Sequence, residues 1–418
     1  MSSEKKEKLS LLKRFASDMA YSLAALAVMN MVLSFGVYPY LERQLGADGQ
    51  GKVLFFTALM GLMASAVGCG INYGRMKAST KHVTQSADYN WYLLAAAMLS
   101  ILVTVGGFAV MPDAAGASFA GVCVLIFATT VRYYADVEYR LSLNYRGFFC
   151  YYMLIAAGYG VGMLLYPLTD SWISILLLGE FAGLLFVAVT GKLFRPPFFR
   201  RSENFGADGA ICASLSATYI MSDFVSYADR LFLPLFVSNT ASTHFYIASL
   251  IGKMTSLIST PLNGVITGHL ARYNGKFTKR MLFTIMMGLL GFAALVTAAT
   301  TVASHVYVYL FYPSEYRQVT ELFLVANAGQ VLFFLSNIMM TVVLRFASTR
   351  YQVVMGIGYL VVFFAAVLPA MYFFGLWGAA WGLLGVNLFK FLLITGLGFY
   401  ALQRESKAGC EETADRKE

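Results

Sequence analysis

Apolar stretches long enough to cross a hydrocarbon core, which takes about 20 residues of helix, recur along the chain with short polar breaks between them. The pattern predicts twelve membrane-spanning helices, at 15–40, 52–73, 90–111, 117–136, 148–166, 172–190, 210–237, 242–270, 280–305, 320–344, 351–374 and 378–402. Spans seven and eight carry polar residues at helical spacing. Ser216, Tyr219, Asp223, Ser226 and Arg230 recur every three or four positions in span seven, and Ser249, Lys253, Ser256, Thr260, Asn263 and Thr267 do so in span eight. Each set forms one stripe along its helix. Such a stripe is costly against lipid, so each is expected to face protein or a water-filled cavity. Asn327, Gln330, Asn337 and Thr341 keep the same spacing in span ten, where they either line a cavity or pack between helices. Gly61, Ser65 and Gly68 in span two read as close helix packing.

Charge falls in every second break. Basic residues stand before span one (Lys5, Lys6, Lys8, Lys13, Arg14), after span two (Arg75, Lys77, Lys81) and after span four (Arg132, Arg140, Arg146). They recur after span six (Lys192, Arg195, Arg200, Arg201), after span eight (Arg272, Lys276, Lys279, Arg280), after span ten (Arg345, Arg350) and in the tail. The alternate breaks keep only Arg43, Lys52 and Arg317. By the positive-inside rule both termini are expected in the cytoplasm, with the chain in the cytoplasmic membrane. Arg230, Lys253 and Lys390 are left inside spans, against Glu180, Asp223 and Asp229. An ionised Lys inside a span costs about 3 kcal/mol on insertion scales and usually marks a pathway. Trp91, Trp172, Trp377 and Trp381 stand near predicted span starts, where an indole suits the headgroup zone.

Composition agrees. The chain is 58% hydrophobic and 13% charged, with mean hydropathy +0.65, about half the charge of a soluble domain. The net charge of +9 is explained by topology and does not imply nucleic acid. Residues 15–40 are longer than a signal-peptide apolar core and are read as span one. Five cysteines and four histidines without ligand spacing suggest neither disulfides nor a metal site, and no phosphate-binding loop motif is present. No cofactor is expected. The breaks on the side opposite the basic residues are short, which disfavours an enzyme such as a polysaccharide polymerase or ligase.

The longest break, 191–209, contains Pro196, Pro197 and a cluster of charges, and reads as a linker between two six-helix bundles at 1–190 and 210–402, followed by a tail at 403–418. Pro39 ends span one and Pro234 ends span seven, six spans later, so the halves would be parallel repeats. That is a transporter plan, with substrate handled between the halves near mid-membrane.

The segment from Tyr38-Pro39-Tyr40-Leu41 through Leu45-Gly46-Ala47-Asp48 to Gly51 resembles the first external turn of the polysaccharide transporters of O-antigen flippase type, within the multidrug/oligosaccharidyl-lipid/polysaccharide exporter superfamily. Asp229-Arg230, followed by Phe245-Tyr246 and Pro261, is similar to that family's start of the second half. The turn Ser238–His244 departs from the pattern, lacking the usual Gly. The resemblance implies twelve helices in two bundles around a central cavity, and alternating-access movement of a lipid-linked oligosaccharide or polysaccharide precursor. Arg230 and Lys253, with Lys390 and Asn263, are then candidates to hold an anionic group such as a polyprenyl pyrophosphate, since guanidinium and ammonium donors suit phosphate oxygens. Asp223 and Asp229 are candidates to couple H⁺ or Na⁺. Partners would be membrane lipid, the polyprenyl-linked saccharide, and a polymerase or glycosyltransferases. A drug or cation antiporter of the same superfamily is the alternative, and it has no need of cations inside the spans.

Overall fold

A computed structural model describes residues 3–258, 262, 263, 266, 277–347 and 350–415. Among these residues all regular structure is helical, and eight helices are long and apolar enough to cross a membrane. Two of the eight are bent pairs. Ser17–Ser79 holds spans one and two, and Val354–Gln403 holds spans eleven and twelve. The bends fall at Gly46 (φ 68°) and Gly375 (φ 58°), backbone angles that only glycine adopts without steric cost. Spans seven and eight come from the more polar helices described below. The chain is an all-α, multi-pass membrane protein, as its sequence implies.

The chain divides into two compact units, 1–240 and 241–418. The first contains α1 (Ser3–Met31), α2 (Tyr38–Met63), α3 (Gly70–Ser79), α4 (Ser86–Val110), α5 (Phe119–Leu141), α6 (Tyr145–Thr169), α7 (Trp172–Thr190) and α8 (Phe205–Phe236). The seventh span thus groups with the first six. Wider π-type turns at Val32–Val37 and Ala64–Cys69 join α1 to α2 and α2 to α3. The predicted starts of α5 and α6 are fixed by side-chain caps: Ser118 Oγ accepts from the Gly121 amide (3.1 Å) and Asn144 Oδ1 from that of Gly147 (3.0 Å).

α6 and α7 pack through glycines. A Cβ at Gly162 would stand 2.5 Å from the Ile175 Cα, and one at Gly158 would stand 2.7 Å from the Gly179 Cα. Without a hydrophobic force between helices in lipid, such close approach is how they gain contact. Trp172, the first residue of α7, is buried within the protein and donates from Nε1 to the Ala114 carbonyl (2.9 Å).

The second unit contains α9 (Asn239–Met254, from Ala241), α10 (Lys279–Phe311), α11 (Phe323–Val343), α12 (Arg350–Val362) and α13 (Leu368–Asp415). Its core is Leu282 of α10, Val331, Leu335, Met339 and Val343 of α11, and Phe391 and Ile394 of α13. Asn327 ties three helices together. Its Nδ2 donates to Ser304 Oγ of α10 (3.0 Å), while its Oδ1 accepts from the Gly252 amide of α9 (2.7 Å). That part of span ten's polar face is therefore interhelical. A second link joins α9 to the turn after α10, where His244 Nε2 lies 2.7 Å from Glu315 Oε2.

Candidate functional site

In the first unit, the polar face of α8 lies along α2 and α3. The two run antiparallel, and their contacts keep one register: Gly61 meets Tyr227, Ser65 meets Asp223, Gly70 meets Ser216 and Gly74 meets Cys212. The glycines are what admit α8, because a Cβ at Gly70 would stand 2.0 Å from Ser216 Oγ and 2.9 Å from its Cα. Tyr73 and Tyr219 stack across the same seam, with centroids 5.8 Å apart. At one end Asn239 Nδ2 donates to Asp48 Oδ1 (3.0 Å), and a Cβ at Gly51 would meet the Asn239 carbonyl oxygen at 2.1 Å. The other end is closed by His82 Nε2, 3.0 Å from Asp208 Oδ1, and by the Tyr89 hydroxyl donating to Asp208 Oδ2 (3.1 Å).

This seam locates three of the candidate residues. Asp223 is half-buried and accepts from the Ser65 hydroxyl, which sits in the π-type turn of span two. Asp229 is buried, and Arg230 is half-buried with its guanidinium 5.8 Å from the Tyr227 ring centre. Lys253, half-buried, lies at the end of α9, and Asn263 is helical and half-buried. Thr260, Pro261 and Thr267 lie outside the described residues. Asp223, Asp229 and Arg230 thus share one helix of the first unit, while Lys253, Asn263 and Lys390 belong to the second.

Lys390 has the most defined surroundings. Its ammonium stands 4.2 Å from the Phe333 ring centre and 4.8 Å from that of Tyr359, and it donates to Asn337 Oδ1 (3.0 Å). Among the described residues no carboxylate lies within 4.0 Å of it. The supporting layer is fixed: the Tyr359 hydroxyl donates to Asn387 Oδ1 (2.7 Å), and Asn387 Nδ2 donates to the Gly329 carbonyl (2.9 Å). Ring faces attract an ammonium by their quadrupoles, by up to about 2 kcal/mol when water is excluded. They offset part of the desolvation of Lys390 without neutralising its charge. Asn337 was visible as a polar position of span ten. Phe333 and Tyr359 were not, because an aromatic residue in an apolar span carries no sign of its partner.

The first unit holds a polar cluster that charge counting misassigns. Arg132, placed by the basic pattern in the break after span four, is buried inside α5. Its Nε donates to Glu180 Oε2 of α7 (2.7 Å), and the two side chains are 5% and 1% exposed. The Tyr159 hydroxyl donates to Glu180 Oε1 (3.0 Å), and that of Tyr152 to Asp136 (3.1 Å). Arg140 completes the cluster, with Nη2 3.5 Å from Asp136 Oδ2 and Nη1 donating to the Tyr73 hydroxyl (2.5 Å). The tyrosines Tyr134, Tyr139, Tyr151 and Tyr152 are buried alongside this cluster, inside the unit. Two cations and two carboxylates that satisfy one another hold α5, α6 and α7 together.

Among the described residues no group of three or more His, Cys, Asp or Glu is placed to hold a metal ion.

No family model matches the chain, and no curated protein matches it. Solved structures do. One is the inward-facing conformation of a multidrug resistance MATE family transporter of the MOP superfamily, with TM-score 0.67 and 14% identity over 92% of this chain and 99% of that one. Another is the Vibrio cholerae MATE transporter VcmN in its bent form, with TM-score 0.61 and 13% identity over 95% and 98%. A third is the outward-facing conformation of a multidrug resistance MATE family transporter, with TM-score 0.57 and 13% identity over 94% and 96%. At these identities the likeness establishes the fold: the chain has the MATE transporter fold, an all-α arrangement of twelve membrane helices in two bundles.

Proposed function

We propose that this protein is an alternating-access transporter of the cytoplasmic membrane that moves an anion-bearing, membrane-embedded substrate, a lipid-linked oligosaccharide or polysaccharide precursor. The fold supports transport, since its solved examples include inward-facing and outward-facing conformations of transporters. The observation that carries the substrate class is Lys390. A cation kept inside a span with two rings and an amide, and no carboxylate beside it among the described residues, is poorly suited to a cationic cargo and well suited to phosphate oxygens. Arg230 and Lys253 extend the same positive character, with Asn263 as a neutral donor. Asp223 or Asp229 takes up H⁺ or Na⁺ and resets these cations during the cycle. The chain performs no covalent chemistry in this reading.

A drug antiporter is the second reading, and the multidrug transporters among its structural neighbours favour it. The two separate in vesicles containing the purified protein. Movement of a polyprenyl-linked oligosaccharide labelled on one leaflet, without ion-driven efflux of an organic cation, is the expected result. Efflux of the cation without saccharide movement would transfer the assignment to the drug antiporter.

A further inference from the structure

The segment that follows α7 joins two features that no transport role requires. The first is an apolar groove of about 610 Å³ on the outer face of α7, lined by Leu178, Phe181, Leu185 and Ala188 and ended by Phe194 of the segment itself. From Leu178 to Ala188 the helix rises about 15 Å, half of a hydrocarbon core of ~30 Å. The groove is one leaflet long. The second feature is charge. Between Gly191 and Asn204 stand Lys192, Arg195, Arg200 and Arg201 against the single acid Glu203. Lys192, Arg195 and Arg200 are exposed and form no ion pair with the described residues.

The segment is held in place. The Lys192 amide donates to Glu138 Oε1 (3.0 Å), and Leu193 is buried. Further on, Asn90 Nδ2 donates to the Phe198 carbonyl (2.7 Å), the Ser202 amide donates to Asp88 Oδ1 (2.8 Å), and Arg201 lies 4.9 Å over the Trp91 ring. These contacts leave Phe198 and Phe199 50% and 58% exposed beside the free cations. Exposed aromatic rings interleaved with unpaired basic residues, at the end of the apolar span where basic residues gather, have the composition of an anionic membrane surface site. An acyl chain in the groove would end at Phe194, whose neighbours Lys192 and Arg195 carry the charge that a phosphate headgroup complements.

We infer that α7 and residues 192–200 form a site for an anionic phospholipid of the cytoplasmic leaflet, with one acyl chain along Phe181, Leu185 and Ala188 and its phosphate at Lys192 and Arg195. This site does not depend on the identity of the cargo. Basic residues near the surface draw anionic lipid, so removing three of them should abolish most of the selectivity.

The test is native mass spectrometry of the purified full chain with phosphatidylglycerol or phosphatidylcholine of matched chains. The wild type should retain phosphatidylglycerol at least tenfold better, and the triple variant Lys192→Gln, Arg195→Gln, Arg200→Gln should lose that preference with its thermal stability unchanged. Phe194→Ala should lower retention of both lipids. An undiminished preference in the triple variant would overturn the site, as would no preference in the wild type. Displacement of phosphatidylglycerol by an equal concentration of a polyprenyl phosphate would make the groove a cargo site instead, and a lipid-free dimer would make it a contact between copies.

Discussion

Removing Glu180 tests the buried cluster of the first unit most sharply. Glu180→Ala leaves the Arg132 guanidinium buried without its ion-pair partner, held by the Tyr152 hydroxyl, 3.5 Å from Nη1, by the faces of Tyr133 and Tyr152 at 4.6 and 5.8 Å, and by the more distant charge of Asp136. Breaking a buried ion pair by deleting one partner costs about 3–5 kcal/mol. The Tyr159 hydroxyl also loses its acceptor, which adds about 1–3 kcal/mol if no other group replaces it. The sum is a large fraction of a typical folding free energy of about 5–15 kcal/mol, so the variant should unfold at a much lower temperature in detergent and express poorly. Replacing both partners gives the decisive comparison. Arg132→Met with Glu180→Leu removes the charge and keeps the volume, and such exchanges are often neutral or stabilising. Melting in detergent, followed by tryptophan fluorescence across the four variants of the cycle, should show two unstable single variants and a double variant near the wild type. If Glu180→Ala melted with the wild type, or if the double variant were as unstable as the sum of the singles, the reasoning about this pair would be refuted.

Four other outcomes follow from the geometry. Gly70→Ala places a Cβ 2.0 Å from Ser216 Oγ and should destabilise by about 1–3 kcal/mol through overpacking, whereas Gly106→Ala, with nothing within 4 Å, should leave the melting temperature unchanged. Lys390→Met should keep or raise stability, because a desolvated cation is replaced by a thioether against two rings, while slowing saccharide movement at least tenfold in vesicles. Arg230→Ala combined with Lys253→Ala should abolish that movement, and a wild-type rate would remove both from the substrate site. Finally, the hydrogen bond from Lys52 holds the Asp113 carboxyl below the usual carboxylate range. A lowered pKa contributes stability that is full above the unfolded value of about 3.9 and is lost as pH falls through the folded value. The melting difference between wild type and Asp113→Asn should therefore be small, as expected for an exposed pair, constant from pH 5 to 7, and absent in stronger acid.

What could be read from the sequence follows from which signals are local. Span positions are local, and Trp172–Thr190 falls where the apolar run predicts it. Gly61, Ser65 and Gly68 were legible as a packing face because small residues at helical spacing have few other uses in a membrane. Their partners were not: the polar stripe marked Asp223 as facing protein or a cavity, but nothing in α8 tied it to Ser65 or Tyr227 to Gly61, and Gly68 meets Thr130 and Tyr133 of α5 instead. Arg132 misled for a related reason. Charge counting assigns a cation near a span end to the cytoplasm, and only the approach of Glu180, 48 residues later in the chain, makes burial affordable. The same limit explains the Lys390 surroundings: the cation and Asn337 stand out in apolar runs, whereas Phe333 and Tyr359 resemble every other aromatic residue in lipid-facing helices.

The central claim is that an anionic, lipid-linked saccharide is the cargo. Its most direct measurement is the transbilayer movement of a polyprenyl-linked oligosaccharide, labelled on one leaflet of vesicles that contain the protein, with and without an H⁺ or Na⁺ gradient. The account predicts movement that requires the protein, responds to one of the two gradients and falls at least tenfold in Lys390→Met. Movement no faster than in protein-free vesicles under either gradient would contradict it.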